Sequence, residues 1–215
     1  MSPQDAARTL VVVPCSARKL DGGTAEPGRR LPDDLPAALG AELLAARAGN
    51  ASIAGVNGPA MPAFRRYTGA LYASGAPVIE HMLADAVHVL IVSGGYGLVH
   101  AAEPIAVYDL RFEARRWPRR VIPRCLEAYA ARHGISCVRA FAGRSTSYAM
   151  VIRQTRWREA GVGDAILLSP LLTSSGALRA VPEAIGQALR AFAAGELDPD
   201  WRTRSGLRIA WEQLS

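Results

Sequence analysis

The run Leu10-Val11-Val12-Val13-Pro14-Cys15-Ser16-Ala17-Arg18-Lys19 holds the key to the fold. Four aliphatic residues, three of them β-branched, predict a buried strand. That strand gives way at once to a small, polar segment. The same arrangement returns three times. Residues 87–92 lead into Ser93-Gly94-Gly95-Tyr96-Gly97-Leu98-Val99, and residues 137–141 lead toward Gly143-Arg144-Ser145-Thr146-Ser147-Tyr148. Residues 165–168 lead into Ser169-Pro170 and Thr173-Ser174-Ser175-Gly176. Helix-like stretches lie between the runs, at 36–48 (stopped by Gly49-Asn50), 76–86, 124–132 (closed by Gly134) and 148–160. Another follows at 177–194, with Pro182 marking its first turn. This alternation predicts an α/β fold, with a mainly parallel sheet of about four or more strands flanked by helices. Such sheets place a ligand site at the C-terminal ends of the strands. Residues 1–215 read as one α/β domain, with 199–215 a C-terminal tail pinned to it by Trp201 and Trp211.

Composition narrows the function classes. Half of the 215 residues are hydrophobic, enough for one sizeable core. No apolar run reaches the roughly eighteen residues that a membrane span needs. Residues 1–9 carry Asp5 and Arg8 and lack the order of a secretory signal, so the expected location is cytoplasmic. Three cysteines without paired spacing (Cys15, Cys125, Cys137) argue against a disulfide framework or a structural zinc, and neither a metal nor a cofactor is expected. The net charge of +6 favours an anionic partner. Of 25 basic residues, 24 are arginine and one, Lys19, is lysine. Either one lysine survives a coding bias toward arginine, or position 19 needs what a guanidinium lacks. An amine can lose its proton in a desolvated pocket and attack carbon.

Together the four polar segments would form a bowl rich in hydroxyls, with Cys15, Ser16, Ser93, Arg144 and Ser145 on its rim. Gly94, Gly95 and Gly97, around Tyr96, would let the backbone approach a ligand closely. This segment is neither a Walker loop nor a dinucleotide fingerprint. Downstream, Glu103, Tyr108 and Asp109 bring carboxylates and a phenol toward the same rim. Glu103 or Asp109 reads as a general base or as a ligand for a base amine or ribose hydroxyl, and Asp109 reads equally as a helix cap. Arg65, Arg66 and Tyr67 suit a phosphate and a planar base, or else plain packing with solvated arginines. The basic series Arg111, Arg115, Arg116, Arg119, Arg120, Arg124 would form two rows on one helix, although Pro118 and Pro123 interrupt it.

Four stretches, in order, resemble the YaaA-type peroxide-stress proteins and a related bacterial and phage domain family. They are Val13-Pro14-Cys15-Ser16-Ala17-Arg18-Lys19-Leu20, Arg66-Tyr67-Thr68-Gly69-Ala70-Leu71-Tyr72, Leu90-Ile91-Val92-Ser93-Gly94-Gly95-Tyr96-Gly97-Leu98-Val99 and Glu103-Pro104-Ile105-Ala106-Val107-Tyr108-Asp109. The likeness covers about residues 10–110 and implies DNA binding and protection from oxidative damage. The opening Pro14-Cys15-Ser16-Ala17-Arg18-Lys19 is also similar to the signature of archaeosine synthase, where the motif's lysine is a nucleophile toward a modified base. That resemblance implies the same role for Lys19, although the chain departs from the longer motif at Leu20-Asp21. The leading expectation is an enzyme acting on a nucleoside, nucleotide or base in nucleic acid. It would cleave or exchange the N-glycosidic bond or modify the base through Lys19, with Glu103, Tyr108 and Asp109 catalytic. Cys15, Ser16, Tyr67, Ser93, Gly94, Gly95, Tyr96, Gly97, Arg144 and Ser145 would bind substrate. The rival expectation is a non-catalytic DNA-binding protein of the oxidative-stress response.

Overall fold

In the computed structural model, which describes residues 2–24, 28–172 and 179–215, the four apolar runs form the parallel centre of a six-stranded sheet. These strands are β1 (Thr9–Pro14), β3 (His88–Ser93), β6 (Cys137–Phe141) and β7 (Asp164–Pro170). Two antiparallel edges complete the sheet, β4 (Gly97–His100) beside β3 and β8 (Ile209–Gln213) beside β7. The order is β4-β3-β1-β6-β7-β8, and β2 (Asn57–Pro62) pairs with β5 (Pro104–Val107) in a separate ribbon. After a short α1 (Pro3–Ala6), the helices are α2 (Ala37–Ala54), α3 (Ala63–Arg66), α4 (Ala70–Ala84), α5 (Val121–Arg132), α6 (Ser147–Arg153) and α7 (Val181–Ala193).

Strand alternation divides the core into two layers. Leu10 and Val12 face one cluster with Leu126, Tyr129 and Ile152 of α5 and α6. Val11 and Val13 face the other with Leu71, Ile79 and Leu189 of α4 and α7. A strand apolar on both sides must be covered on both sides, which is why β1 lies in the middle.

Several expectations need correction. The segment after β3 is a hairpin turn into β4 rather than a strand-to-helix loop, with Ser93 opposite Gly97. The helix expected to stop at Gly49-Asn50 continues to Gly55, whose φ of 59° ends it. Asn50 is accommodated there because its amide donates to the carbonyls of Ala46 and Arg116. The arginine series forms no continuous face: Arg115 and Arg116 lie in a 3-10 turn, and the helix begins only at Val121. No helix follows Asp109 closely enough for it to cap. The tail supplies an edge strand, Trp211 pairing with Leu168. The Thr173-Ser174-Ser175-Gly176 segment and the first residues of the expected last helix lie outside the described residues. Among the described residues, no helix is long and apolar enough to cross a membrane.

Candidate active site

From β1 the chain passes to β3 on one side and, later, to β6 on the other. In a parallel sheet this reversal opens a crevice beyond the strand ends. Here the crevice lies between Cys15-Ser16, after β1, and Gly143-Thr146, after β6. It holds a cavity of about 440 Å³, walled by Cys15, Ser16, Thr146 and Tyr148 and by apolar Leu71 and Ile185. A second cavity of about 490 Å³ shares Gly143, Thr146, Val181 and Pro182 with the first and adds Arg144 and Ser145. The Cys15 thiol lies 3.3 Å from the Tyr148 hydroxyl, and the Tyr148 ring stacks on Phe112 at 5.2 Å. Burial holds the Tyr148 phenol above its ordinary pKa, so it stays protonated.

Lys19 stands beside this cavity rather than in its wall. Residues 18–20 run antiparallel to residues 66–68: Thr68 N–H donates to the Arg18 carbonyl at 3.1 Å, and Leu20 N–H to that of Arg66 at 2.8 Å. Arg66 fastens the pairing from beneath. Its buried guanidinium donates to the carbonyls of Leu20, Pro59 (2.7 Å) and Ile105 (3.1 Å), a fan that only its planar fork supplies. The Lys19 amine comes to rest 4.1 Å from the centre of the Tyr108 ring and donates to the Ala17 carbonyl at 3.2 Å. Among the described residues it has no carboxylate at ion-pair distance. Burial lowers its pKa, opposed by the nearby Cys15 and Asp109.

Beneath Lys19, three hydroxyls close a ring. Tyr67 donates to Ser93 at 3.2 Å, Ser93 to Tyr108 at 3.0 Å, and the two phenol oxygens are 3.0 Å apart. Burial lifts both phenols well above their usual range, so they offer protons and a polarised ring face rather than a base. Tyr72 donates to the Pro14 carbonyl at 2.9 Å and fixes the end of β1 against this ring. Asp109, exposed, stands within electrostatic reach of the amine.

The structure thus brings together Cys15, Ser16, Lys19, Tyr67, Ser93, Tyr108 and Asp109, and sets Arg144 and Ser145 in the adjoining cavity. Neither comparison with protein-family profiles nor comparison with curated proteins and solved structures finds a match for this chain.

Glu103 and the glycines take other positions. The Glu103 carboxylate is buried and engaged by Arg47 at 2.6 Å and by the backbone N–H of Leu31 at 2.9 Å. Arg47 also donates to the carbonyls of Tyr96 and Leu98, and the Tyr96 hydroxyl accepts from Ala106 N–H at 3.0 Å. The glycines make room for the chain itself. A Cβ on Gly94 would stand 1.8 Å from the Leu110 carbonyl oxygen, and one on Gly95 would stand 2.7 Å from the Tyr108 ring. Gly97 has a φ of 73° and packs under Trp117. Sequence reasoning placed Tyr148 in a rim segment without giving it a role, and missed the α7 wall of the cavity and the fastening role of Arg66. The arginine carried no signal, because a buried and a solvated member of an Arg-Arg pair look alike.

Proposed function

We propose that this chain is a nucleobase-directed enzyme acting on a nucleoside, a nucleotide or a base within nucleic acid, with Lys19 as its nucleophile. One observation carries the reading. The sole lysine of an arginine-rich chain sits half-buried and, among the described residues, free of carboxylate pairing, beside a cavity at the crevice of the sheet. Desolvation enlarges the fraction of neutral amine, which is the reactive form. In the glycosidic reaction, the amine nitrogen bonds to the anomeric carbon as the carbon–base bond breaks. The bonding pair leaves with the base, Asp109 takes a proton from the new ammonium and passes it to the sugar's ring oxygen as the bond between that oxygen and the anomeric carbon breaks, and the iminium left on Lys19 is what borohydride reduces. Cys15, Ser16 and Tyr148 hold the base, and Arg144 and Ser145 face its ribose or phosphate. Tyr67, Ser93 and Tyr108 hold the platform under the amine.

The test is a mass-spectrometric screen of nucleosides, nucleotides and short DNA, with borohydride added to reduce any imine formed at a lysine. The expected result is base release by the parent and none by Lys19→Ala, with the trapped adduct on the peptide containing residue 19. A Lys19→Ala protein as active as the parent would refute the proposal.

A second reading is a non-catalytic DNA-binding protein, and one feature favours it. A cleft of about 570 Å³ is lined by Arg115, Arg119, Arg120 and Trp117. Among the described residues, Arg119 has no ion-pair partner. This reading expects duplex affinity to fall steeply with salt and the slope to flatten when these arginines are removed. Turnover absent from every substrate, together with that salt response, would favour it over the enzyme.

A further inference from the structure

Four phenols stand around the ends of β1 and β3, and three of them spend their protons inside the protein. Tyr72 donates to the Pro14 carbonyl, Tyr67 donates to Ser93, and Ser93 donates to Tyr108. With the Tyr67 proton committed, the last contact of that ring, 3.0 Å between the two phenol oxygens, has Tyr108 as its donor. Tyr148 differs. Among the described residues its hydroxyl meets one partner, the Cys15 thiol at 3.3 Å, and the thiol meets no other. Only one of the two protons can lie on the line between them. When the thiol donates, the phenol proton has no acceptor in the protein. Both residues wall the cavity of about 440 Å³, and that proton has the cavity to point into. The phenol is also held still. Its ring stacks on Phe112 with planes 24° apart, and it rides in the first turn of α6, which the Thr146 hydroxyl caps by accepting from the Ala149 N–H at 3.3 Å. The Thr146 proton is itself committed to the Gly143 carbonyl at 2.7 Å. Ser16 and Arg18 also bring donors, from the segment after β1, and what Tyr148 adds is a fixed direction. Among the described residues, no carboxylate, carboxamide or imidazole lines the cavity, so charge left on a departing base has hydrogen-bond donors to meet it.

Resting on the glycosidic reaction proposed above, we propose that Tyr148 is the catalytic hydrogen-bond donor that stabilises the departing base. As the carbon–base bond breaks, its electron pair passes into the ring of the base. The Tyr148 O–H, with the Cys15 thiol donating behind it, hydrogen-bonds to the base atom on which that charge collects. The bond strengthens as the charge grows, so it lowers the barrier more than it favours the bound substrate. Burial, the largest influence on the phenol, raises its pKa and keeps the donor protonated. The phenol retains its proton throughout, and the base takes one from water after release.

The test compares leaving groups. Parent, Tyr148→Phe and Lys19→Ala are assayed on the nucleosides, nucleotides and short DNA of the screen, and on para-nitrophenyl β-ribofuranoside, whose nitrophenolate carries its charge without help. Tyr148→Phe should lose about 100-fold or more in kcat for base release and less than about threefold for nitrophenol release. Lys19→Ala should lose both. Replacement of Tyr148 by a difluorinated tyrosine, which keeps the donor in nearly the same shape, should preserve base release, and it decides the matter if the riboside is not turned over or Tyr148→Phe fails to fold. Equal losses on the two kinds of substrate, parental base release by Tyr148→Phe, or no base release with the fluorinated phenol would overturn the role of Tyr148 while leaving that of Lys19 standing. A parent inert toward every substrate would overturn the glycosidic reading, and the role of Tyr148 with it.

Discussion

Replacing Glu103 by glutamine separates a structural carboxylate from a catalytic one. The pair it forms with Arg47 is buried, with side-chain exposures of 2% for Glu103 and 10% for Arg47. Glutamine keeps an acceptor for the Leu31 N–H, but its amide must face the Arg47 guanidinium with a donor or forgo the charge. The arginine, still tied to the carbonyls of Tyr96 and Leu98, has nowhere to go. Breaking a buried pair on one side costs about 3–5 kcal/mol. At about 2–4 °C per kcal/mol for a chain of this size, Tm should fall by about 6–20 °C. Denaturant unfolding of Glu103→Gln, Arg47→Met and the double variant would give the coupling, expected at about 2 kcal/mol. Base release per folded molecule should survive in Glu103→Gln. A variant with parental stability and no turnover would refute the argument and return Glu103 to the site.

Lys19 is the sole side-chain amine, so an acylating reagent reports on it directly, the N-terminal amine apart. Its lowered pKa predicts that labelling in the folded chain begins at lower pH than in denaturant; coincident profiles would remove the activated amine. Gly94→Ala forces a methyl onto the Leu110 carbonyl and should cost about 3 kcal/mol, measured by urea unfolding, whereas a change below about 1 kcal/mol would mean the hairpin yields freely. Arg66→Lys loses part of the carbonyl fan beneath Leu20 and should cost about 2–3 kcal/mol. The same variant should speed exchange at residues 18–20 by more than at β1, and uniform acceleration would deny Arg66 its local role.

The parallel centre was legible because a strand covered on both faces leaves an unbroken aliphatic run, as at Leu10 to Val13. The edges were not. Gly97–His100 and Ile209–Gln213 pair along one side only and are four and five residues long, and neither carries an unbroken aliphatic run like that of β1. Glycine misled for a related reason. Ser93-Gly94-Gly95 reads as a place where something approaches the backbone closely, which is correct, but the sequence does not say what approaches. In this fold the visitor is the chain itself, as the Leu110 carbonyl and the Tyr108 ring.

The same ambiguity governs the charges. Glu103 and Asp109 are equivalent in sequence, two carboxylates on either side of a strand, yet Glu103 finds the buried guanidinium of Arg47, which projects from α2, while Asp109 stays exposed within electrostatic reach of the Lys19 amine. A carboxylate held by an arginine is spent, and one left exposed beside a partly desolvated amine is available for proton transfer. The distinction rests on residues 56 positions apart in the chain, a contact that no local pattern encodes. Lys19 was legible for the opposite reason. Its signal was its rarity, and rarity requires no knowledge of the fold. What the fold adds is the reason the amine matters: an antiparallel pairing with residues 66–68, a ring of three hydroxyls below and an open crevice alongside. An arginine at that position would keep the charge over Tyr108 and lose the amine on which the proposed reaction rests.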